Sequence, residues 1–484
     1  MLPGRNSRIL EILLVIVLLW RVGSLAAEPT VSGAYVILAL LSTWALLKPE
    51  WGFYLFLSIG FSFIPYDFRI DMPLFNSARE VLIFACLSGA FLKLVKSRRS
   101  LPFLPIFVPL VIMLLVSTVL IFAGQGAMGM ELWWVKLPQF QIAIKDLYFL
   151  VLTMLGALLT WLLVDTPDKA RNVLISILAG VVLRTFFTTG WLVTQPDFFS
   201  NEVGLVRELE HMSIYNTPLH TRLLFGSFLS LIINAAHFFP LFLALGLTLR
   251  GRPVLRLICL VTAVAFMLIN APSGMRASIV ALTVGPLILL LLSPYWMPSW
   301  RAGISIGLLS VFGLVVVSHV GGGPATLASL FEEATTGTGE RLDLYRIQIN
   351  LFLGNPIFGT GFRAGHSTVL DWASAMGLIF LVPALIATLW PIRQLWRLLR
   401  SSRSIEERAL LAGLLAGWVG IMVLASITEV LFRPEPGMRF WALAVVIGLW
   451  TKWHLEKPGV SIVRISREKK PPNVKGLCHV EQIT

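Results

Sequence analysis

Three stretches of this sequence gather side chains capable of chemistry. The first, Thr338-Gly339-Glu340-Arg341-Leu342-Asp343-Leu344-Tyr345-Arg346-Ile347, opens a helix. Leu344, Ile347 and Leu351 recur at helical spacing, Thr338 can cap the start, and Gly354 and Pro356 stop it. Unpaired N–H groups at a helix start beside Arg341 make a ready anion site. The same pattern also describes an amphipathic helix lying on a bilayer with its arginines toward lipid phosphates. The second stretch, Gly354 to Ser367, holds four glycines in twelve residues and therefore a tight, closely approaching backbone, with Arg363 as a candidate substrate contact. His366, near its end, is the side chain best suited to accept a hydroxyl proton near neutral pH, although a loop histidine is also an ordinary polar contact. Asp371 follows at i+5, and helix neighbours face each other at i+3 and i+4, so pairing of the two cannot be assumed. The third stretch, Asn270 to Ser278, sets Arg276 where an apolar helix begins; its plain reading is snorkelling toward headgroups.

The elements that must position these residues are membrane spans. Of the 484 residues 56% are hydrophobic and only 13% charged, with a mean hydropathy of +0.81, whereas a soluble domain carries about 25% charged residues. Apolar runs of bilayer length predict spans near 9–26, 31–48, 51–65, 78–95, 102–123, 146–164, 173–194, 224–249, 254–271, 277–294, 302–319, 368–392, 409–430 and 438–453. The expected fold is an all-α integral membrane protein of about 14 transmembrane helices, with a polytopic domain over 1–453 and a basic cytoplasmic tail over 454–484. Arg21 interrupts the first apolar run, which argues for a retained span over a cleaved signal peptide. With the N-terminus inside, the inner segments hold 25 of the 39 Lys and Arg and 9 of the 26 Asp and Glu; the outer segments hold 13 and 17. This positive-inside pattern puts both termini in the cytoplasm and accounts for the net charge of +13 without nucleic acid. Two outer loops, about 195–223 and about 320–367, exceed what a connector needs, which points to chemistry at the outer leaflet. Cys86, Cys259 and Cys478 are widely spaced and show neither a disulfide framework nor metal-type spacing.

Further candidates lie along the chain. Arg207 and Arg222 on the first long outer loop are possible glycan or phosphate contacts. Arg184 and His237 fall within spans, where ionisable groups face cavities, and Arg184 suits a diphosphate path. Glu208 and Glu210 with His211 could hold a divalent ion, but carboxylates at i,i+2 read first as a solvated loop, and no metal is assigned. Trp133-Trp134 reads as an interfacial anchor, and Arg433 and Arg439, beside Glu429, read as structural.

Taken together, Arg276, Arg341, the turn Pro356 to Phe362 and the run His366 to Asp371 resemble the O-antigen ligase and O-antigen polymerase family of bacterial membrane glycosyltransferases, over about 265–385. The sequence departs from the family pattern in three places. Gly274-Met275 separates Ser273 from Arg276, Ser367 follows His366 where the family often has Asn, and the span count exceeds the family's usual twelve. The resemblance implies a C-type membrane glycosyltransferase-like bundle in the bacterial inner membrane, with a large periplasmic loop and an active site facing the periplasm. It implies a donor glycan on undecaprenyl diphosphate and a saccharide or lipid-linked acceptor, in O-antigen (lipopolysaccharide) or exopolysaccharide biosynthesis. His366 would then serve the acceptor, Arg276 and Arg341 the diphosphate, and Asp371 the shape of that corner, with no cofactor or metal. The rival from a different class is a polysaccharide or solute transporter, which predicts charges at mid-depth in the spans and repeat symmetry.

Overall fold

The computed structural model describes residues 31–60, 69–72, 75–97, 100–122, 139–194, 228–249, 251–270, 276–297, 307, 340–361, 367–427 and 434–456. The expected spans 9–26 and, but for position 307, 302–319 lie outside these residues, as do the loop over 195–223 and the tail beyond 456.

The described chain is helical apart from one short antiparallel hairpin, β1 (Arg69–Met72) with β2 (Phe75–Ser77), between the expected spans 51–65 and 78–95. Helix α1 (Val31–Leu47) meets α2 (Pro49–Leu55) at a corner where Pro49, lacking an N–H, starts a new helix that runs into a π-turn over Phe56–Gly60. Then follow α3 (Ala78–Ser97), α4 (Phe107–Phe122), α5 (Gln139–Leu163), α6 (Pro167–Thr194), α7 (Phe228–Thr248), α8 (Pro253–Asn270), α9 (Arg276–Leu291) and the single turn α10 (Ser293–Trp296). The last group is α11 (Glu340–Gly354), α12 (Thr368–Ser401), α13 (Ile405–Ile427) and α14 (Pro434–Glu456). Each apolar run read as a span inside the described residues is a helix, and α12 and α13 are long and apolar enough to cross a bilayer. Several helices show large apolar side chains outward: Val111, Leu115 and Val119 on α4, Val254, Leu257 and Val261 on α8, and Val382, Ile386 and Leu389 on α12. Contiguous apolar faces of this kind require cover.

The core is centred on α7, which packs most extensively on α13 and also on α8 and α9. Small residues permit the approach. On α13, a Cβ at Gly413 would lie 2.6 Å from the Leu241 Cα, and one at Gly420 would lie 2.8 Å from the Ala236 carbonyl oxygen. At Gly417 an added Cβ would fall inside the His237 carbonyl oxygen. Helices that associate without a hydrophobic driving force gain from such backbone contact.

At one end of the bundle, three connections meet at a charged corner. Glu50 in the first turn of α2 pairs with Lys93 near the end of α3 and with Lys169 at 3.3 Å, and Lys169 also bonds Asp165 at 2.9 Å. The Arg408 guanidinium donates to the Tyr295 carbonyl at 3.1 Å. Every group named here belongs to a segment that the charge pattern assigns to the inner side.

Burial alone would raise the Glu50 carboxyl, but hydrogen bonds from Lys93 and from its own backbone amide, with the charges of Lys93 and Lys169, outweigh it and hold the group below its ordinary value. A depressed carboxylate contributes stability above its unfolded value of about 4.3 and loses that contribution as pH falls through the folded value. Thermal midpoints in detergent should therefore fall for the wild type as pH drops below about 4.3, and Glu50→Gln should flatten that acid limb. At the α7–α13 crossing, Gly417→Leu should cost at least about 3 kcal/mol of stability. Gly251→Leu, where a Cβ meets nothing within 4 Å, should leave the midpoint unchanged in the same measurement.

Candidate functional site

The unit that carries the sequence-derived site is α11, the turn after it, and α12. Helix α12 is not continuous. Gly377 adopts φ 67° and ψ −170°, which breaks the helix one third of the way along. A break there strands two carbonyls and two N–H groups, those of Ser374 and Ala375 on one side and of Leu378 and Ile379 on the other. The turn takes up all four. Thr360 and Gly361 donate to the Ser374 and Ala375 carbonyls at 2.7 and 3.0 Å, while Leu378 and Ile379 donate to the Pro356 and Ile357 carbonyls at 2.8 and 3.2 Å. The Thr360 hydroxyl adds a bond to the Ser374 oxygen at 3.1 Å, and the Asn355 amide closes the turn on the Gly359 carbonyl at 2.7 Å. The fit requires positive φ at Gly359 (71°) and Gly361 (79°), and a Cβ on Gly359 would lie 2.5 Å from the Ala375 carbonyl carbon. The glycine-rich motif thus satisfies a helix break.

Helix α11 is tied in at two further points. The Gln348 Nε2 donates to the Asp371 Oδ1 at 2.7 Å, both side chains being 0% exposed, and the Tyr345 hydroxyl donates to the Ile427 carbonyl at the end of α13 at 3.3 Å. The buried face of α11 is therefore built on Tyr345 and Gln348, and Ile347, one of the three apolar residues expected to share a face, is exposed. Packing follows the hydrogen bond of Gln348, a polar residue whose burial the apolar periodicity does not register.

These bonds fix a register. Gln348 sits beside Asp371 and Pro356 beside Leu378, so α11 runs alongside the first half of α12 in the same direction. Arg341 precedes Gln348 by seven residues and Thr368 precedes Asp371 by three, which at about 1.5 Å per residue sets the Arg341 backbone roughly 6 Å beyond the first residue of α12. Ser367 caps that start, its side chain accepting from the Leu370 N–H at 3.2 Å, so this residue has a local role. On the opposite flank, Gly420 of α13 lies 3.6 Å in the same sense from the Gly285 Cα of α9. Nine residues earlier in α9, Arg276 comes level with the end of α13, where Tyr345 docks. The two helix starts that carry Arg276 and Arg341 thus converge on one end of the bundle, around the last turn of α13.

His366, Arg363, Arg207 and Arg222 lie outside the described residues, as do Glu208, Glu210, Trp133, Trp134 and Arg433; Arg276 and Arg341 are described in backbone only. Asp371 is buried and bonded to Gln348. Arg184 is buried on α6, whose principal neighbours are α8 and α14, and so belongs to a different part of the bundle from α11. His237 is enclosed by Phe238, Trp418 and Phe440, with ring centroids at 4.4, 5.4 and 6.0 Å. Arg439, read as structural, is 1% exposed within α14. Its position six residues into an apolar helix was the signal that could have marked it as an interior cation. No protein-family model matches the chain, and no curated protein matches it.

Because Gly359 is held by both its φ and its neighbour, Gly359→Ala should destabilise the protein by about 1–2 kcal/mol or more. Gly354→Ala, where a Cβ meets nothing within 4 Å, serves as the neutral control. Gln348→Leu, which removes a donor from a buried carboxylate, should cost about 1–3 kcal/mol, read as the shift in thermal midpoint.

Proposed function

We propose that the chain is a polytopic membrane glycosyltransferase with about fourteen spans, acting at the outer leaflet of a bacterial inner membrane as an O-antigen or exopolysaccharide polymerase or ligase. The observation that carries this reading is the convergence of the helix starts bearing Arg276 and Arg341 on the end of the bundle where α12 begins, directly after His366. The sequence resemblance supplies the reaction. An acceptor hydroxyl oxygen attacks the anomeric carbon of a glycan held on undecaprenyl diphosphate, and His366 takes the hydroxyl proton. The bond from that carbon to the diphosphate oxygen breaks, the diphosphate leaves with the electron pair, and the anomeric configuration inverts. Fixed guanidinium groups stabilise the departing charge in a water-poor site. Arg276 and Arg341 fill that role, with Arg363, Arg207 and Arg222 contacting glycan or phosphate and Arg184 deeper on the lipid path. Asp371 acts through Gln348 to hold α11 in place. The scheme uses no metal.

A second reading, a polysaccharide or solute transporter, draws on the buried Arg184, His237 and Arg439, which place cationic or titratable side chains inside helices. Transfer by purified protein from a defined lipid-linked donor, against flux into sealed vesicles, separates the two.

In that transfer assay His366→Ala should lower turnover by about 10²–10⁴-fold with folding and donor binding nearly intact, because a base acts mainly in the transition state. Arg276→Ala and Arg341→Ala should weaken binding of undecaprenyl diphosphate as well. Arg341→Lys should stay impaired, since an ammonium lacks the two-pronged geometry of a guanidinium. Full activity of His366→Ala at wild-type protein level would sink the mechanism.

A further inference from the structure

The outward stripe of α12 changes character along its length. Val382, Ile386 and Leu389 are exposed, and the same helical face continues through Arg393, Arg397 and Arg400, all exposed. The helix extends to Ser401, so these arginines stand on regular helix rather than on a loop. An aromatic pair lies among these cations: Trp396, between Arg393 and Arg397 on α12, packs edge-on against Tyr295 of α10 with centroids 5.1 Å apart, and Tyr295 is itself 40% exposed. An apolar run that gives way to cations with aromatic rings among them is the order of hydrocarbon core and headgroup layer. From Arg393 to Arg400 the stripe rises about 10 Å, enough to cross the headgroup layer of one leaflet, which is roughly 5–7 Å deep.

The cations of the charged corner differ in one respect. Lys93, Lys169 and Arg171 are each paired with a carboxylate, Glu50, Asp165 or Asp168. Arg393, Arg397, Arg400 and Arg403 form no ion pair among the described residues; Arg408, one turn into α13, spends its guanidinium on the Tyr295 and Arg403 carbonyls. One group of inner-side cations is neutralised within the protein, and the other is left open on a face that continues the apolar stripe.

We infer that the Arg393–Arg397–Arg400 stripe is a binding surface for the phosphate headgroups of anionic phospholipids in the inner leaflet. It rests on the membrane reading of the bundle and is independent of the transferase chemistry. Guanidinium groups suit the site because they offer paired donors to phosphate oxygens. The acyl chains of the same lipids lie along Val382, Ile386 and Leu389. Electrostatic attraction of about 1 kcal/mol per basic residue near an anionic leaflet corresponds to about a fivefold preference for each arginine engaged.

The test uses the full chain in nanodiscs of phosphatidylcholine alone or with phosphatidylglycerol, read by thermal midpoint and by native mass spectrometry of retained lipid. Wild type should gain stability and hold phosphatidylglycerol in preference to phosphatidylcholine. The triple variant Arg393→Gln, Arg397→Gln, Arg400→Gln should lose both effects while matching wild type in phosphatidylcholine, and the triple Lys variant should keep part of them. Lys93→Gln, at the paired corner, should retain the preference. A wild type without preference, or a triple Gln variant that keeps it whole, overturns the assignment and leaves the membrane reading standing. A chain that fails to enter the nanodisc overturns both. A triple Gln variant that does not fold leaves the decision to the wild-type preference and the Lys variant: a reduced preference in the Lys variant, with folding intact, supports the site, and a preference kept whole counts against it.

Discussion

A helix broken in apolar surroundings must have its freed backbone groups satisfied by other protein atoms, and the arrangement of the candidate site follows from how this chain does so at Gly377. Four backbone groups open at one place, and a six-residue turn closes all four. Because the bonds are to backbone, side-chain identity in the turn is secondary to its φ angles, which is why glycine recurs at 359 and 361. The turn cannot shift along α12 without losing all the bonds together, so α11 is held in a single register. Gln348 then meets Asp371, and Tyr345 meets the end of α13. What the sequence marks as a tight, glycine-rich turn before α12 is a joint with fixed geometry.

Hydropathy located the helices well, since each expected span within the described residues is a continuous apolar run. Ends moved by a few residues where helix outlasts hydrophobicity: α12 runs on to Ser401 through arginines that an apolar window excludes, and α5 starts at Gln139, before Lys145 and Asp146. The unit of α11, the turn and α12 was legible in its parts and order but not in its joinery. The turn's glycines announced tight backbone without saying what the backbone would grip, because the partner is a break whose only sequence sign is one glycine inside a long apolar run. Gln348 escaped notice because it sits among Ile347, Ile349 and Leu351, where periodicity weighs apolar residues and ignores the amide that decides which face turns inward. Arg439 was read as structural without a place in the fold, although its neighbours Phe440 and Trp441 already signalled an interior helix.

Charge divides the bundle's two ends by different means. At the Glu50 corner, opposite charges from distant parts of the chain meet and cancel. Along α12, like charges stand apart on one face and depend on what surrounds the protein. Near α11 and α9, cationic residues sit at helix starts, where the dipole adds to their effect on an anion. The same residue type is therefore put to three uses, distinguished by what lies opposite it.

The glycine face of α13 also bears on how the chain assembles. Gly417 follows His237 by 180 residues (417 − 237), and α7 with its buried Asn234 and His237 is synthesised long before its principal partner. At roughly 5–20 residues per second, the delay is on the order of ten to forty seconds. Through that interval, of the described helices that pack most on α7, α8 and α9 are already present, while the side of His237 that Trp418 of α13 will cover is still open. The centre of the bundle is thus completed only once α13 has been made, and a flaw in α13 leaves helices that are otherwise in place without their middle.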